Sequence, residues 1–319
     1  MATAVAHPNI ALVKYWGKQD GAGNLPATPS LSITVAGLST TSRVEAAARD
    51  SLCINGEARR ESKVETLLDA MRDAFEVPRL AIESRNDFPT GAGLASSASG
   101  FAALVTAIDA EFDLGLTPQQ RSTWARRGSA SAARSIFGGF ATLDAQNGTW
   151  SGAELLAKDA WPLEVVIAVT DETPKPVSSS TGMDRSRDTS PFYDAWCRST
   201  GADFDNACRA VADRDFESLS EVAEHSCLKL HALMLSSRPP LHYWNQATIA
   251  AIDTVRRLRE AGTPVFFTID AGPQVKAVCA PGQGGSVAAL LAKSRGVLRV
   301  IRGGLGDGAR CADDTNHRD

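Results

Sequence analysis

Twelve residues constrain this chain most: Pro89-Thr90-Gly91-Ala92-Gly93-Leu94-Ala95-Ser96-Ser97-Ala98-Ser99-Gly100. Two glycines two apart let the backbone turn tightly and let a ligand come close to it. Residues 94–110, which follow, are alanine-rich and carry Phe101, Leu104, Val105 and Ile108 at helical spacing. A glycine turn thus opens onto a helix start, whose free N–H groups and positive dipole end suit a phosphate. Ser96 or Ser97 can add a hydroxyl to a phosphate oxygen or to a magnesium ion. The sequence holds no Gly-x4-Gly-Lys-Ser/Thr, so this is not the common P-loop.

At 319 residues the chain has material for about two domains. Its 43% hydrophobic and 22% charged residues are ordinary for a globular protein, and a net charge of −4 gives no support for a nucleic-acid or anionic-membrane surface. Cys53, Cys197, Cys208, Cys227, Cys279 and Cys311 are scattered without a Cys-x-x-Cys pair and read as free thiols. His225, Cys227 and His231 share one predicted helix, but only Cys227 and His231 are four apart, and zinc-ligand spacings are missing. The N-terminus lacks a basic region followed by a long apolar one, and no run approaches the ~18 apolar residues of a membrane span. A soluble, cytoplasmic protein is expected.

Apolar runs and alternation predict strands over residues 10–13, 30–35, 41–46, 80–84, 140–143, 163–169, 265–269, 275–279 and 297–301. Helical spacing predicts helices over 62–75, 190–200, 203–213, 215–235, 241–261 and 286–294. Another starts at Thr117-Pro118, where Gln120 completes a capping box. Residues 175–183 read as a Ser/Thr-rich loop, and the change in composition sets a domain boundary near Thr173, dividing the chain into 1–173 and 174–319. The polar tail, 312–319, is expected to fray.

Three further clusters invite a chemical reading. Lys14-Tyr15-Trp16-Gly17-Lys18 sets two lysines around two aromatics at a strand end. Residues 128–139 (GSASAARSIFGG) are small, with Arg134 supplying a planar fork that can hold a carboxylate or phosphate bidentately. Asp270-Ala271-Gly272-Pro273 puts a carboxylate at a strand-to-turn corner. Alone, each has an ordinary reading: a solvated edge, small-residue packing, a turn aspartate. Together with the anion-binding helix start they favour phosphoryl chemistry on an anionic small molecule.

Five strings carry a family resemblance: residues 9–18 (NIALVKYWGK), 88–100, 128–139, 179–183 with 189–193, and 267–273 (FTIDAGP). In this order they resemble the motifs of diphosphomevalonate decarboxylases, a branch of the GHMP kinase superfamily, and they span nearly the whole chain. The resemblance implies a two-domain α+β, GHMP kinase-like fold. Its N-terminal domain is ribosomal protein S5 domain 2-like and carries the phosphate loop. Its C-terminal, ferredoxin-like domain carries Asp270, and a cleft lies between the two. The implied activity, with ATP and Mg2+, is phosphorylation of the tertiary 3-hydroxyl of mevalonate 5-diphosphate, followed by loss of phosphate and carbon dioxide to give isopentenyl diphosphate.

By the same resemblance, Asp270, Lys14 and Arg134 are catalytic: Asp270 near the 3-hydroxyl, Lys14 orienting Asp270, Arg134 on the substrate carboxylate. Tyr15, Lys18, Ser129, Ser131, Ser180, Met183 and Ala271 line the substrate. Ser84, Asn86, Gly91, Gly93, Leu94, Ala95, Ser96 and Ser97 attend ATP, with Ser96 or Ser97 near Mg2+. A homodimer without nucleic-acid or membrane partners is implied. The chain departs from the family's usual wording at Ala130 (usually glycine), Ser180 (arginine in several bacterial relatives) and Arg85-Asn86 (often two asparagines). The first two touch the 5-phosphate end and keep mevalonate 5-phosphate open as the substrate. A kinase that stops at the 3-phosphate and a non-catalytic ligand sensor are the remaining alternatives.

Overall fold

The computed structural model describes residues 1–21, 23–88, 96–173 and 175–312. The first half runs β1 (Ala2–Ala6), β2 (Asn9–Val13), β3 (Ser30–Thr34), β4 (Thr40–Ala46), β5 (Ser51–Ile54), β6 (Glu57–Ala58), α1 (Ser62–Ala74), β7 (Leu80–Asn86), α2 (Ser96–Glu111), α3 (Pro118–Gly128), α4 (Ala132–Ser135), β8 (Phe140–Gln146) and β9 (Thr149–Leu156). The second runs β10 (Glu164–Val169), α5 (Ser179–Thr189), α6 (Tyr193–Asp213), α7 (Phe216–Leu235), α8 (Gln246–Glu260), β11 (Val265–Thr268), β12 (Val275–Cys279), α9 (Gly284–Leu291), β13 (Arg299–Gly304) and β14 (Arg310–Cys311).

Three sheets result, ordered β14-β1-β4-β7-β5-β6, β2-β3-β8-β9 and β11-β12-β10-β13. Pairing is antiparallel except for β5 on β7. β10 joins the sheet of the second half, whereas β14 returns to pair with β1. The composition change near Thr173 falls after β10, which already belongs to the second half's sheet, and before α5.

Helix α2 explains how the glycine string is anchored. Its residues Ala98 to Ile108 are buried almost without interruption, because alanines let it lie close against Ala4, Ala6, Val44 and Ile82 of the six-stranded sheet. Helix α3 has the predicted cap: Thr117 Oγ1 accepts from Gln120 N, and Gln120 Oε1 accepts from Thr117 N.

Elsewhere the structure departs from the expected elements. The Ser/Thr-rich segment becomes helical at Ser179, because the Ser178 hydroxyl caps Thr181 N and Gly182, Met183 and Ser186 are buried. The two helices expected on either side of Gly201 are one, α6; burial of Trp196, Phe204, Ala207 and Val211 along one face outweighs the ~1 kcal/mol cost of an interior glycine. Helix α8 starts at Gln246, later than the apolar spacing suggests, because Asn245 forms a capping box with Thr248. Strands β1, β5, β6, β9 and β14 escaped the sequence reading. The tail beyond Ala312 lies outside the described residues. Among the described residues, no helix is long and apolar enough to cross a membrane.

Candidate active site

A cleft of about 500 Å³ is lined from both halves of the chain. β2 delivers Lys14 to its floor, and the chain then turns at Gly17 (φ 113°), where a side chain would overlap Tyr193. From the other half, β11 ends two residues before Asp270. Lys14 Nζ lies 2.6 Å from Asp270 Oδ1 and also donates to Ala11 O at 2.7 Å. The second carboxylate oxygen meets Lys276 Nζ at 3.0 Å. Register explains that contact: Lys276 on β12 stands opposite Thr268 on β11, two residues before Asp270, and side chains alternate along a strand. Both lysines are 1% exposed, whereas Asp270 keeps 28% of its side chain open. A ligand can therefore reach the carboxylate and not the far lysine.

Burial pushes the Asp270 carboxyl up, but the ammonium groups of Lys14 and Lys276 outweigh it and hold the acid well below the usual carboxylate range. His231 packs beneath this corner; burial, with Lys14 nearby, pushes its imidazole down to about 3, so it is neutral. Its Nε2 accepts from Trp244 Nε1 at 3.2 Å, which makes it part of the packing rather than a free acid or base.

Arg134 of α4 forms one wall and is 2% exposed. Its Nη1 donates to Ser30 Oγ at 2.5 Å and its Nη2 to Asn9 Oδ1 at 3.2 Å. Asn9 in turn donates through Nδ2 to Ser131 O and Ser135 Oγ, each at 2.8 Å. Burial pushes the guanidinium down to about 10, against the pull of Asp270, so it stays charged at neutral pH. Among the described residues, two buried polar atoms here have no protein partner, Arg134 Nε and Tyr15 Oη. Each suits a polar ligand atom, since a buried donor left unpaired is costly.

Ser129, Ala130, Ser131, Ser180, Met183 and Ala271 also line the cleft, as do Tyr15 and Lys18. Burial and the nearby Lys63 lower the Lys18 pKa. Of the residues expected to attend ATP, Ser96 and Ser97 open α2 and face the same cleft. Ser97 Oγ lies 3.4 Å from Ser129 Oγ, which is 3.1 Å from Ser131 Oγ, so the helix start adjoins the wall that carries Arg134. Gly91, Gly93, Leu94 and Ala95 lie outside the described residues. Ser84 and Asn86 do not line the cleft: Ser84 Oγ meets Ser42 Oγ at 2.7 Å, and Asn86 Oδ1 accepts from Thr40 Oγ1 at 2.6 Å. Thr40 also meets Ser99, which ties β7 to α2.

The sequence reading missed three lysines. Lys63, at the start of α1, donates to Ser180 Oγ at 3.1 Å across the mouth of the cleft. Lys175 donates to Ser179 Oγ at 2.7 Å and to Ala271 O at 3.3 Å, and burial lowers its ammonium to about 8. Lys276 had a visible signal, a charge inside the apolar run Val275-Lys276-Ala277-Val278-Cys279. Lys63 and Lys175 had none beyond their charge.

Comparison with known proteins follows this geometry. Residues 6–153 match the diphosphomevalonate decarboxylase-like N-terminal domain, and residues 165–294 match the mevalonate 5-diphosphate decarboxylase C-terminal domain. A diphosphomevalonate decarboxylase of Gibberella zeae is 37% identical over 301 residues, covering 85% of this chain and 79% of the relative. A phosphomevalonate decarboxylase of Haloferax volcanii is 36% identical over 284 residues, covering 86% of each. The crystal structure of mevalonate diphosphate decarboxylase from Staphylococcus aureus superposes with a TM-score of 0.91 at 35% identity, covering 98% of both chains. A solved complex of MDDEF with MVAPP, AMPPCP and magnesium gives a TM-score of 0.89 at 34% identity, again covering 98% of both.

The α+β fold, which these solved structures match over 98% of the chain, makes this a GHMP kinase-like protein. Within that class, both halves and the full-length relatives agree: the chain belongs to the diphosphomevalonate decarboxylase family.

Proposed function

We propose that this chain catalyses the ATP-dependent decarboxylation of mevalonate 5-diphosphate, yielding isopentenyl diphosphate, ADP, phosphate and carbon dioxide. The observation that carries the reading is Asp270, ion-paired to two buried lysines yet open to a cleft walled by Arg134. A tertiary hydroxyl is a poor leaving group and phosphate a good one, so transfer of the terminal phosphoryl group of ATP to the 3-oxygen, with the hydroxyl proton released and taken up in the end by the departing phosphate, prepares the C–O bond to break. Positive character then develops at C3, and the electrons of the carboxylate C–C bond close the double bond as carbon dioxide leaves.

Each role falls to a residue with matching geometry. Arg134, held by Ser30 and Asn9, binds the substrate carboxylate and aligns the C–C bond that breaks. Asp270 orients the 3-hydroxyl and offsets the charge developing at C3; ion-paired through both oxygens, it is a weak proton acceptor. Lys18, Lys63 and Ser180 supply donors for the 5-phosphates, and Tyr15 Oη offers a further one. ATP with Mg2+ supplies the phosphoryl group. The Ser96 and Ser97 hydroxyls would offer Mg2+ hard oxygen donors beside the phosphate oxygens of the nucleotide.

The Haloferax volcanii relative, of similar identity, supports a second reading, with mevalonate 5-phosphate as substrate. Lys63 at Ser180 favours the diphosphate, because it brings a cation to the hydroxyl that faces the 5-phosphate end. The test is a paired assay with ATP and Mg2+ that follows ADP and carbon dioxide together on each substrate. Equal release of both from the diphosphate, with little from the monophosphate, is expected. Preference for the monophosphate moves the function to the second reading, and ADP without carbon dioxide means a kinase.

A further inference from the structure

Asp270 is held differently at its two oxygens. Lys14, on Oδ1, lines the cleft and so belongs to the surface that a substrate meets. Lys276, on Oδ2, comes from a strand inside the second half's sheet, is 1% exposed and does not line the cleft. A buried ammonium is costly to desolvate and is kept only beside a strong partner. Across the ladder it faces Thr268 and Ile167, and the Asp270 carboxylate stands 3.0 Å from its ammonium as a counter-charge.

We propose that Lys276 is a positioning residue for the reaction: from behind the site it pins the second oxygen of Asp270, fixes the carboxylate plane and keeps it ionised. With Lys14 alone, the carboxylate could swing about its Cβ–Cγ bond and take up a proton when the 3-hydroxyl approaches. With both lysines, each oxygen has a charged partner before substrate enters, which is electrostatic preorganisation rather than base catalysis. The neighbouring groups agree with this arrangement. Arg134 from α4 and Lys175 from the segment before α5 add positive charge that acts on Asp270. Cys227 and His231 of α7 are raised and lowered respectively by burial, so neither offers a competing charge. Cys227 Sγ accepts from Ile269 N at 3.2 Å and so steadies the backbone just before Asp270.

The inference rests on the proposed decarboxylation for its kinetic reading, so its decisive measurement is independent of turnover. The protein is labelled with 13C at aspartate carboxyls, and the Asp270 resonance, assigned with Asp270→Asn, is followed against pH. In the wild type it is expected not to titrate above about pH 4. In folded Lys276→Met the resonance should move already at neutral pH, as Oδ2 loses its cation, and its titration should rise toward the ordinary carboxylate range. Lys276→Arg should restore the wild-type behaviour. In the assay, Lys276→Met should lower kcat about tenfold or more with KM for the phosphorylated substrate nearly unchanged, and should move the acid limb of the rate profile upward. If Lys276→Met fails to fold, Lys276→Gln carries the same readings. An unmoved Asp270 resonance in the folded variant overturns the inference, even when activity is lost, because a packing defect alone gives that result. A wild type without turnover on either substrate refutes the proposed function and leaves the titration to judge Lys276.

Discussion

Arg134 is set in place before any ligand arrives. Ser30 and Asn9 hold its two terminal nitrogens, and Asn9 is itself tied to α4 through Ser131 and Ser135. Lysine at this position keeps the charge but loses the planar fork. Arg134→Lys is therefore expected to reduce kcat/KM about a hundredfold, as a misaligned reactant does, with the far-ultraviolet circular dichroism unchanged. Wild-type kcat/KM in that variant would remove Arg134 from the site. Lys175 gives a pH dependence whose sign follows from its lowered value of about 8. Below that pH the free protein carries the ammonium and attracts phosphates; as pH rises through it, the charge is lost and binding weakens. The KM for mevalonate 5-diphosphate, measured between about pH 6.5 and 9.5, should climb on the alkaline side. Lys175→Arg should flatten that climb, because a guanidinium stays charged throughout.

Helix α3 separates two kinds of helix information. Its start is chemical and local: the Thr117–Gln120 capping box stood in the sequence and is present in the structure. Its end is tertiary: a Cβ at Gly128 would run into the ring of Phe101 on α2, which no local pattern reveals. Thr117→Ala should lower stability by about 1 kcal/mol, and Gly128→Ala by about 1–3 kcal/mol through overpacking, both read as shifts in denaturation midpoint. A neutral Gly128→Ala would mean that α2 and α3 can part freely. The same division explains what could be read beforehand. Strong apolar runs such as β10 and β11, and capped helices such as α3 and α7, were legible because local chemistry and burial agree in them. Helix α5 was not, because its hydroxyl-rich start resembles a loop until Ser178 is seen to cap it. Lys14, Arg134 and Asp270 were legible as charged groups suited to one anionic ligand, and motif order gave them their separate roles. Lys276 was not, because a strand's register decides which carboxylate a buried charge meets.

The halves of the molecule are bound across the cleft by more than the ion pair. Trp16 donates to Ser186 Oγ at 3.0 Å and receives the Trp196 indole N–H on its carbonyl at 2.9 Å. Lys14 N donates to Ser226 Oγ at 2.9 Å, and β14 closes onto β1. Unfolding should accordingly be a single transition. In the wild-type chain, urea midpoints read by thiol labelling of Cys53, in the first half, and of Cys227, in the second, should coincide. Two separated midpoints would mean that the halves fold independently. The cleft between them gathers Lys14, Lys18, Lys63, Arg134 and Lys175 against Glu61 and Asp270 among the described residues. When empty, it holds like charges at close quarters; each phosphate or carboxylate that enters relieves that repulsion. Ligands that bind only the folded chain hold it folded by mass action, so the lifetime of this protein against proteases depends on the supply of its own anionic ligands.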